Sequence, residues 1–251
     1  MNHTRILLAA LLAALLATAC GHKNSFTIQG TLADGAGKTL YIEEISPTEV
    51  IFIDSVRLDS KGQFSYTYDM PYESIYTLHA TPTDYIMFIP HAGEHIQVNG
   101  TYDRLSWTYT IQGSPQSVAL WQLQTFTNET NQKVNDLVTT LENLDQQLAA
   151  KAITQTQYDK EKAACDSIYL ECYGVQQDYI RQMINDHNGS LVSLIAVHKP
   201  FNNQHPVIDP QFNTDYYEAV LEGLEAAMPD NPHTLYFHNE VARYQALYKE
   251  I

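Results

Sequence analysis

Five consecutive residues have the spacing of a zinc-protease motif. His91-Ala92-Gly93-Glu94-His95 fits HxxEH, in which two histidines on one helix face bind Zn²⁺ and the glutamate acts as a base. Pro90 precedes the segment and Gly93 interrupts it, and both residue types disfavour a helix. Strand-like alternation flanks the segment on both sides. We therefore expect a turn between two strands, and a metalloenzyme built on these two histidines and this glutamate is the weaker alternative.

Cys165 and Cys172 are the cysteines that could carry redox chemistry. Seven residues of one helix separate their Cα atoms by about 10 Å along the axis, whereas a disulfide needs Cα atoms within about 7 Å. Both residues also fall on an apolar seam, where cysteine behaves as a small hydrophobic residue. We expect both in the core, and a redox or metal role would need a partner chain or a bent helix. The sequence contains no CxxC pair.

Other catalytic patterns are missing from the sequence. No histidine accompanies Asp54-Ser55 or Asp166-Ser167 at the spacing of a Ser-His-Asp triad, and no glycine-rich phosphate loop is found. Asp54-Ser55-Val56 and Asp166-Ser167-Ile168 resemble the short O-glycosylation sites of some Gram-negative envelopes. A three-residue pattern often arises by chance, so glycosylation of either serine stays open.

The N-terminus has the pattern of a bacterial lipoprotein signal peptide. Arg5 is the charged start, an apolar run covers residues 6–16, and Ala17-Thr18-Ala19 precede Cys20. We expect residues 1–19 to be removed and Cys20 to carry lipid, which anchors the protein to a membrane of the cell envelope. The apolar run is well short of the ~20 residues of a spanning helix, which disfavours an uncleaved anchor. Gly21-His22-Lys23-Asn24 lacks an acidic export cluster, which favours the periplasmic side.

The composition of the chain limits the classes of molecule that it can bind. The chain has 251 residues with 44% hydrophobic content, enough for one or two domains with a real core. Its formal net charge of -15 repels nucleic acid, so we expect no nucleic-acid partner. No sequence motif indicates a cofactor site, so we expect no cofactor.

The first half of the chain has the period of β-strands. Apolar and polar residues alternate, and turn signals recur at the short spacing of a sandwich or barrel. We predict an antiparallel β-sandwich of about eight strands over residues 20–113, without helices. The predicted strands are Ser25–Leu32, Thr39–Ile45, Val50–Leu58, Gln63–Asp69, Ser74–Ala80, Asp84–Ile89, His95–Gly100 and Trp107–Gln112.

Tyrosines are concentrated in this half. They include Tyr66, Tyr68, Tyr72, Tyr76 and Tyr85. Packing on half-buried sheet faces is the favoured explanation, and a ligand surface is the alternative.

The second half, residues 114–251, changes to a helical period. Ser114 and Pro115 form a helix start, and Thr154 can cap a second long helix. Their apolar stripes have heptad spacing, which predicts an antiparallel helical hairpin followed by shorter helices. The stripes are Val134, Leu137, Leu141, Leu144 and Leu148 on the first helix, and Cys165, Ile168, Cys172, Val175 and Tyr179 on the second. The predicted fold class is therefore α+β.

Short segments of the chain resemble a known domain. They include 26–32, 53–56, 62–64 and 96–100 in the first half, and 188–194 in the second. The first half resembles the uncharacterised DUF4369-type module at the N-terminus of TlpA-like, thioredoxin-fold envelope oxidoreductases, and the second half resembles the linker region of the same proteins. The resemblance implies an envelope location but no catalytic dithiol here, because the sequence lacks the CxxC of those enzymes.

We therefore expect a non-enzymatic binding or scaffolding module on the periplasmic side. The helical hairpin is the expected contact for a protein partner, because long amphipathic helices often complete their core with another chain. The alternative is an accessory of thiol-disulfide exchange that holds a substrate or a separate thioredoxin-like protein.

Overall fold

A computed structural model describes residues 24–202 and 205–248 of the chain. Cys20 and the signal peptide lie outside these residues, so lipidation stays a prediction. Within the described ranges, no helix combines the length and the apolarity that crossing a membrane requires.

Eight strands of the first half form two four-stranded sheets. Sheet A has the order β4-β1-β7-β8, and sheet B has the order β3-β2-β5-β6. The strands are β1 (Ser25–Ala33), β2 (Thr39–Ile45), β3 (Val50–Arg57), β4 (Gln63–Asp69), β5 (Ile75–Thr81), β6 (Asp84–Phe88), β7 (His95–Thr101) and β8 (Thr110–Gln112).

The sandwich core lies between the inner faces of these sheets. Alternation along each strand sends every second side chain inward, so Ile28 of sheet A and Leu78 of sheet B are both fully buried. Phe26 packs across the interior against Tyr76 and Phe88, with ring centroids 5.2 and 5.7 Å away. The sheet-packing explanation of the tyrosines is confirmed for Tyr76.

One strand pair departs from the antiparallel prediction. β1 pairs antiparallel with β4 but parallel with β7, and Gly30 lies opposite Val98 in that parallel pair. A Cβ atom at Gly30 would lie 1.6 Å from the Val98 carbonyl oxygen, so only glycine fits there. Local alternation predicts a strand but does not indicate the direction of its neighbours.

The prediction of a helix-free first half is wrong at residues 102–108. A 3-10 turn (Tyr102–Arg104) leads into the short helix α1 (Leu105–Thr108), so β8 begins at Thr110 and not at Trp107. The Asp84 carboxylate accepts the backbone N–H groups of Leu105 and Ser106, both at 2.8 Å. These bonds satisfy two of the free donors at the start of α1.

The second half is helical, as predicted, and the α+β class is confirmed. A two-stranded ribbon, β9 (Pro200–Phe201) and β10 (His205–Pro206), interrupts it where the sequence is rich in proline. The helices are α2 (Pro115–Ala149), α3 (Gln155–Asp186), α4 (Leu191–Val197), α5 (Thr214–Ala227) and α6 (Pro232–Tyr248).

Both predicted caps of the long hairpin are confirmed. The Ser114 side chain accepts the Ser117 N–H at the start of α2. Thr154 and Gln157 form a reciprocal capping box at the start of α3. Between Val134 and Cys172 only Leu144 and Cys165 are buried. We call residues 135–171 the helical arm, because this part of the hairpin projects beyond the main helical core.

The predicted stripe on α3 is wrong at two of its five positions. Ile168 and Val175 are exposed, whereas Gln176, Ile180 and Ile184 are buried. A spacing of four residues continues the buried face toward α4, because this end of α3 packs within the helical core and not only against α2. A strict heptad holds only where two helices wrap each other.

The helices cover part of the outer face of sheet B. Ile75 of β5 is buried in the helical core, and Ile45 and Met87 pack against it. At the start of α2, Ser117 Oγ accepts the Ile89 N–H and donates to the Ile89 carbonyl, both at 3.0 Å. Helix α2 is thereby fixed to the end of β6.

Candidate functional site

The outer face of sheet B is built from three rows of residues that lie opposite each other on neighbouring strands. Directly paired residues point to the same side of a sheet. The rows are Ser55, Tyr41, His79 and Tyr85; then Phe52, Glu43, Thr77 and Met87; then Val50, Ile45 and Ile75. Ile75 and Thr77 on β5 are buried, whereas Tyr41, Val50, Phe52 and Tyr85 are exposed, so part of this face is open.

A polar cluster occupies the centre of this face. His79 Nε2 lies 2.9 Å from Glu43 Oε2 and 2.7 Å from Thr77 Oγ1. Because a carboxylate only accepts hydrogen bonds, Nε2 carries a proton. The His79 ring also lies against Tyr85, with centroids 4.9 Å apart. These contacts fix the Tyr85 ring at the edge of the cluster.

Beyond Tyr85 the face opens into a cavity of about 310 Å³, which we call the aromatic recess. Its lining includes Tyr85, Trp107, Tyr109, Trp121, Gln124 and Lys199. Trp107 is 71% exposed, and α1 presents it because Asp84 caps that helix. Tyr109 donates to Gln124 Oε1 at 2.9 Å and meets Trp121 edge to face. The recess therefore has aromatic walls and a bonded polar pair, Tyr109 and Gln124.

Lys199 follows α4 and lines the recess from the helical side. Its backbone is fixed by an N–H bond to Ala196 O and by the Val207 N–H on its carbonyl. Burial lowers the pKa of its ammonium. Among the residues that the structure describes, no carboxylate forms an ion pair with it. Lys199 thus lines the recess without an ion-pair partner.

A second cavity, of about 480 Å³, adjoins the recess at Met87 and Lys199. His198 lines it, with Nδ1 2.8 Å from Leu194 O and Nε2 3.1 Å from Glu240 Oε1. Both ring nitrogens face acceptors, which favours the doubly protonated form of the ring. Burial opposes the charge, but the Glu240 and Leu194 bonds outweigh it and raise the pKa of His198. Tyr244 donates to the same Glu240 oxygen at 2.7 Å.

The HxxEH segment forms the predicted turn. Gly93 has φ +86°, the Glu94 carboxylate accepts the His91 N–H at 2.8 Å, and His95 starts β7. His91 Nδ1 lies 2.7 Å from Glu73 Oε2. Within residues 24–202 and 205–248, no group of three His, Cys, Asp or Glu side chains is arranged to hold a metal.

A cleft of about 670 Å³ separates the sandwich from the helices beside this turn. Glu73 bridges it, because its carboxylate also accepts from Gln116 Nε2 and its carbonyl from Asn231 Nδ2, both at 2.7 Å. Glu73, Gln116 and Asn231 are thus bonded to one another, although Gln116 Oε1 is buried without a partner, and this cleft is a weaker site candidate than the aromatic recess.

Ser74 and His233 form a serine–histidine contact that the sequence gave no reason to expect. Ser74 Oγ lies 3.1 Å from His233 Nε2, and both side chains are buried. Burial lowers the pKa of His233 to about 4, so the ring is neutral at pH 7. Because Ser74 has no exposed surface, the pair connects the sandwich to α6 and does not meet a substrate.

The remaining predicted residues lie apart from the recess. Cys165 and Cys172 are free and buried, which confirms that they do not pair with each other. Ser55 is exposed on β3 and Ser167 is exposed on α3, and their glycosylation stays a prediction.

One family model matches residues 26–120 of the chain. It is described as Domain of unknown function (DUF4369). The resemblance noted in the sequence is thus confirmed for this range, which we call the DUF4369 region. It runs from β1 into the first turns of α2 and includes Tyr85 and Trp107, whereas Trp121 and Lys199 lie outside it. No curated protein matches the chain.

Sequence reasoning missed most of the recess. Tyr85 belonged to the tyrosine group for which a ligand surface was the alternative, but Trp107 was expected in a strand. Lys199 and Trp121 carry no local motif. Since the recess joins β6, α1, α2 and the end of α4, only the tertiary structure brings these residues together.

Proposed function

We propose that the protein is a non-catalytic binding module of the cell envelope, with the aromatic recess as its ligand site. The observation that carries the proposal is the placement of Trp107, largely exposed, opposite other aromatic side chains in a concave site. Exposed aromatic rings are costly in water and are typical of surfaces that bind a partner. His91, His198 and His233 each bond to a residue of another segment of the fold, so their contacts are explained without a catalytic role.

Intrinsic fluorescence tests the recess directly, because the two tryptophans of the chain both line it. Titration with panels of saccharides and short peptides should change the emission for at least one class of ligand. Trp107→Ala should abolish binding, measured by calorimetry. Phe212→Ala is the matched control, since Phe212 is an exposed aromatic residue outside the recess. Equal loss of binding in both variants, or binding unaffected by Trp107→Ala, would contradict the proposal.

Anchoring through Cys20 is the second part of the proposal. A lipid on this residue would hold the module at a membrane, on the periplasmic side. In a Gram-negative host, the wild-type protein should incorporate labelled palmitate and fractionate with membranes. Cys20→Ser should do neither, and Cys165→Ser should behave as wild type. A membrane-bound, unlabelled Cys20→Ser protein would indicate an uncleaved anchor instead.

A second candidate function places a protein partner on the helical arm, as an accessory of thiol-disulfide exchange. The observation in its favour is the exposure of apolar side chains there, with Leu170 67% exposed beside exposed Ile168 and Tyr169. It predicts co-purification with a thioredoxin-fold protein that carries CxxC. Leu170→Glu should release that partner, whereas Leu247→Glu, at an exposed site on α6, should not. Retention by both variants would exclude the arm as the contact.

A further inference from the structure

Lys199 determines the charge of a ligand that the aromatic recess can accept. The residue lines the recess without an ion-pair partner among the described residues, and burial disfavours a charge left uncompensated. A bound anion would provide the missing counter-charge. The recess is thus complementary to a negative group on its helical side.

The rest of the molecule restricts that anion to a low charge. The formal net charge is -15, so the overall field repels polyanions. One ammonium balances one carboxylate, whereas a phosphate monoester would retain excess negative charge. The charges together favour a ligand with a single carboxylate.

The neutral lining indicates what carries that carboxylate. Hydroxyl and amide side chains line the recess together with the rings, namely Thr83, Ser106, Gln124, Thr125 and Asn128. These groups can both donate and accept hydrogen bonds, which suits a ligand with several hydroxyls. The Trp107 ring offers a flat apolar surface for the C–H face of a sugar ring. A cavity of about 310 Å³ is at the small end of ligand sites.

We propose that the aromatic recess binds a saccharide unit carrying one carboxylate, such as a uronic acid. The Lys199 ammonium pairs with the carboxylate, Trp107 stacks on the ring face, and the amides of Gln124 and Asn128 bond the hydroxyls. This inference rests on the proposed function and names the ligand class for the same site.

Tryptophan emission at constant ionic strength tests it with four probes. These are sodium glucuronate, its neutral counterpart glucose, sodium acetate, and an N-acetylated dipeptide with a free C-terminal carboxylate. We expect glucuronate to bind at least about tenfold more tightly than glucose, as a charge-assisted hydrogen bond implies. Acetate should bind weakly, because it cannot use the aromatic or hydroxyl contacts.

Variants at Lys199 identify the source of the preference. Lys199→Gln should reduce glucuronate affinity to that of glucose, and Lys199→Arg should retain part of the difference. Lys160→Gln on the helical arm is the matched control, because Lys160 is exposed and outside the recess. Thermal unfolding of each variant checks that the fold is intact.

The possible outcomes separate this inference from the proposed function. If glucuronate and glucose bind equally, or Lys199→Gln leaves the preference unchanged, the assignment of Lys199 is overturned while the recess remains a binding site. If only the dipeptide binds, the saccharide class is overturned and the ligand is a peptide terminus. If no probe in this set or in the wider panels changes the emission, both proposals fail.

Discussion

Ser74 Oγ and His233 Nε2 meet 3.1 Å apart at the junction of the sandwich and α6, with both side chains closed to solvent. An imidazole in this position has no water to solvate a positive charge, and its pKa is lowered to about 4. The junction between the two halves therefore includes a group that resists protonation.

This contact predicts acid sensitivity with a defined sign. The unfolded chain protonates His233 below about pH 6.5, whereas the folded chain does so only near pH 4. Because the unfolded state binds more protons in this window, the free energy of unfolding falls as the pH falls from about 6.5 toward 4. The loss from this group approaches about 3 kcal/mol at the lower limit. Urea denaturation across the window measures it, and His233→Gln should have a shallower pH dependence. Equal slopes for wild type and variant would contradict the assignment.

The Glu240–His198 pair predicts the opposite behaviour. The pKa of His198 is raised, so its contribution to stability is full below its unfolded pKa and is lost as the pH rises through the folded value. Glu240→Gln keeps a hydrogen-bond acceptor but removes the charge, and should lower the pKa of His198. NMR titration of the ring resonances measures this shift. His238→Gln is a control that leaves His198 untouched, and an unchanged His198 titration in Glu240→Gln would exclude the pair as the cause.

The surroundings of Gly30 and Gly174 predict opposite effects of a Gly→Ala substitution on stability. Gly30→Ala places a methyl group against the Val98 carbonyl across the β1–β7 pair, and should destabilise the protein by on the order of 3 kcal/mol. Gly174 lies within α3 with nothing near its missing Cβ, so Gly174→Ala should stabilise by up to about 1 kcal/mol. Denaturation midpoints of the two variants measure both effects. A tolerated Gly30→Ala would mean that β1 and β7 are not paired in this register.

The hydrogen bonds between Ser117 and Ile89 predict that the junction of α2 with sheet B contributes measurably to the free energy of unfolding. Ser117→Ala leaves the buried Ile89 N–H without its acceptor, and an unsatisfied buried donor costs about 1–3 kcal/mol. The free energy of unfolding should fall by that amount. Ser167→Ala, at an exposed helical site, serves as the control and should change stability by no more than about 0.5 kcal/mol. Equal effects of the two substitutions would show that the Ser117 bond adds nothing.

Local sequence patterns predicted the strands and helices better than they predicted which of these elements contact one another. Alternation located all eight sandwich strands, and the caps at Ser114 and Thr154 located both long helices. Trp107 was misassigned because α1 depends on Asp84, whose carboxylate reaches it from another strand. No window of sequence around Trp107 contains that interaction.

The candidate site was less predictable than the fold, for a related reason. Tyr85, Trp121 and Lys199 belong to three separate elements, and each is unremarkable in its own segment. Val175 shows the same limit on α3, where the packing of α4 and not the heptad decides which side is buried. Contacts between segments that are distant in the sequence determine both the lining of the recess and the buried side of α3.

The position of β1 inside sheet A has a consequence for synthesis of the chain. β1 leaves the ribosome first, yet its two neighbours, β4 and β7, are completed only at Asp69 and Thr101. Until then β1 exposes an apolar face and two edges of unpaired backbone N–H and C=O groups, which can pair with strands of other chains. Sheet A can grow in the order in which its strands are made, but one edge of β1 stays unpaired until β7 is complete, so a holding chaperone would have most to protect in that interval.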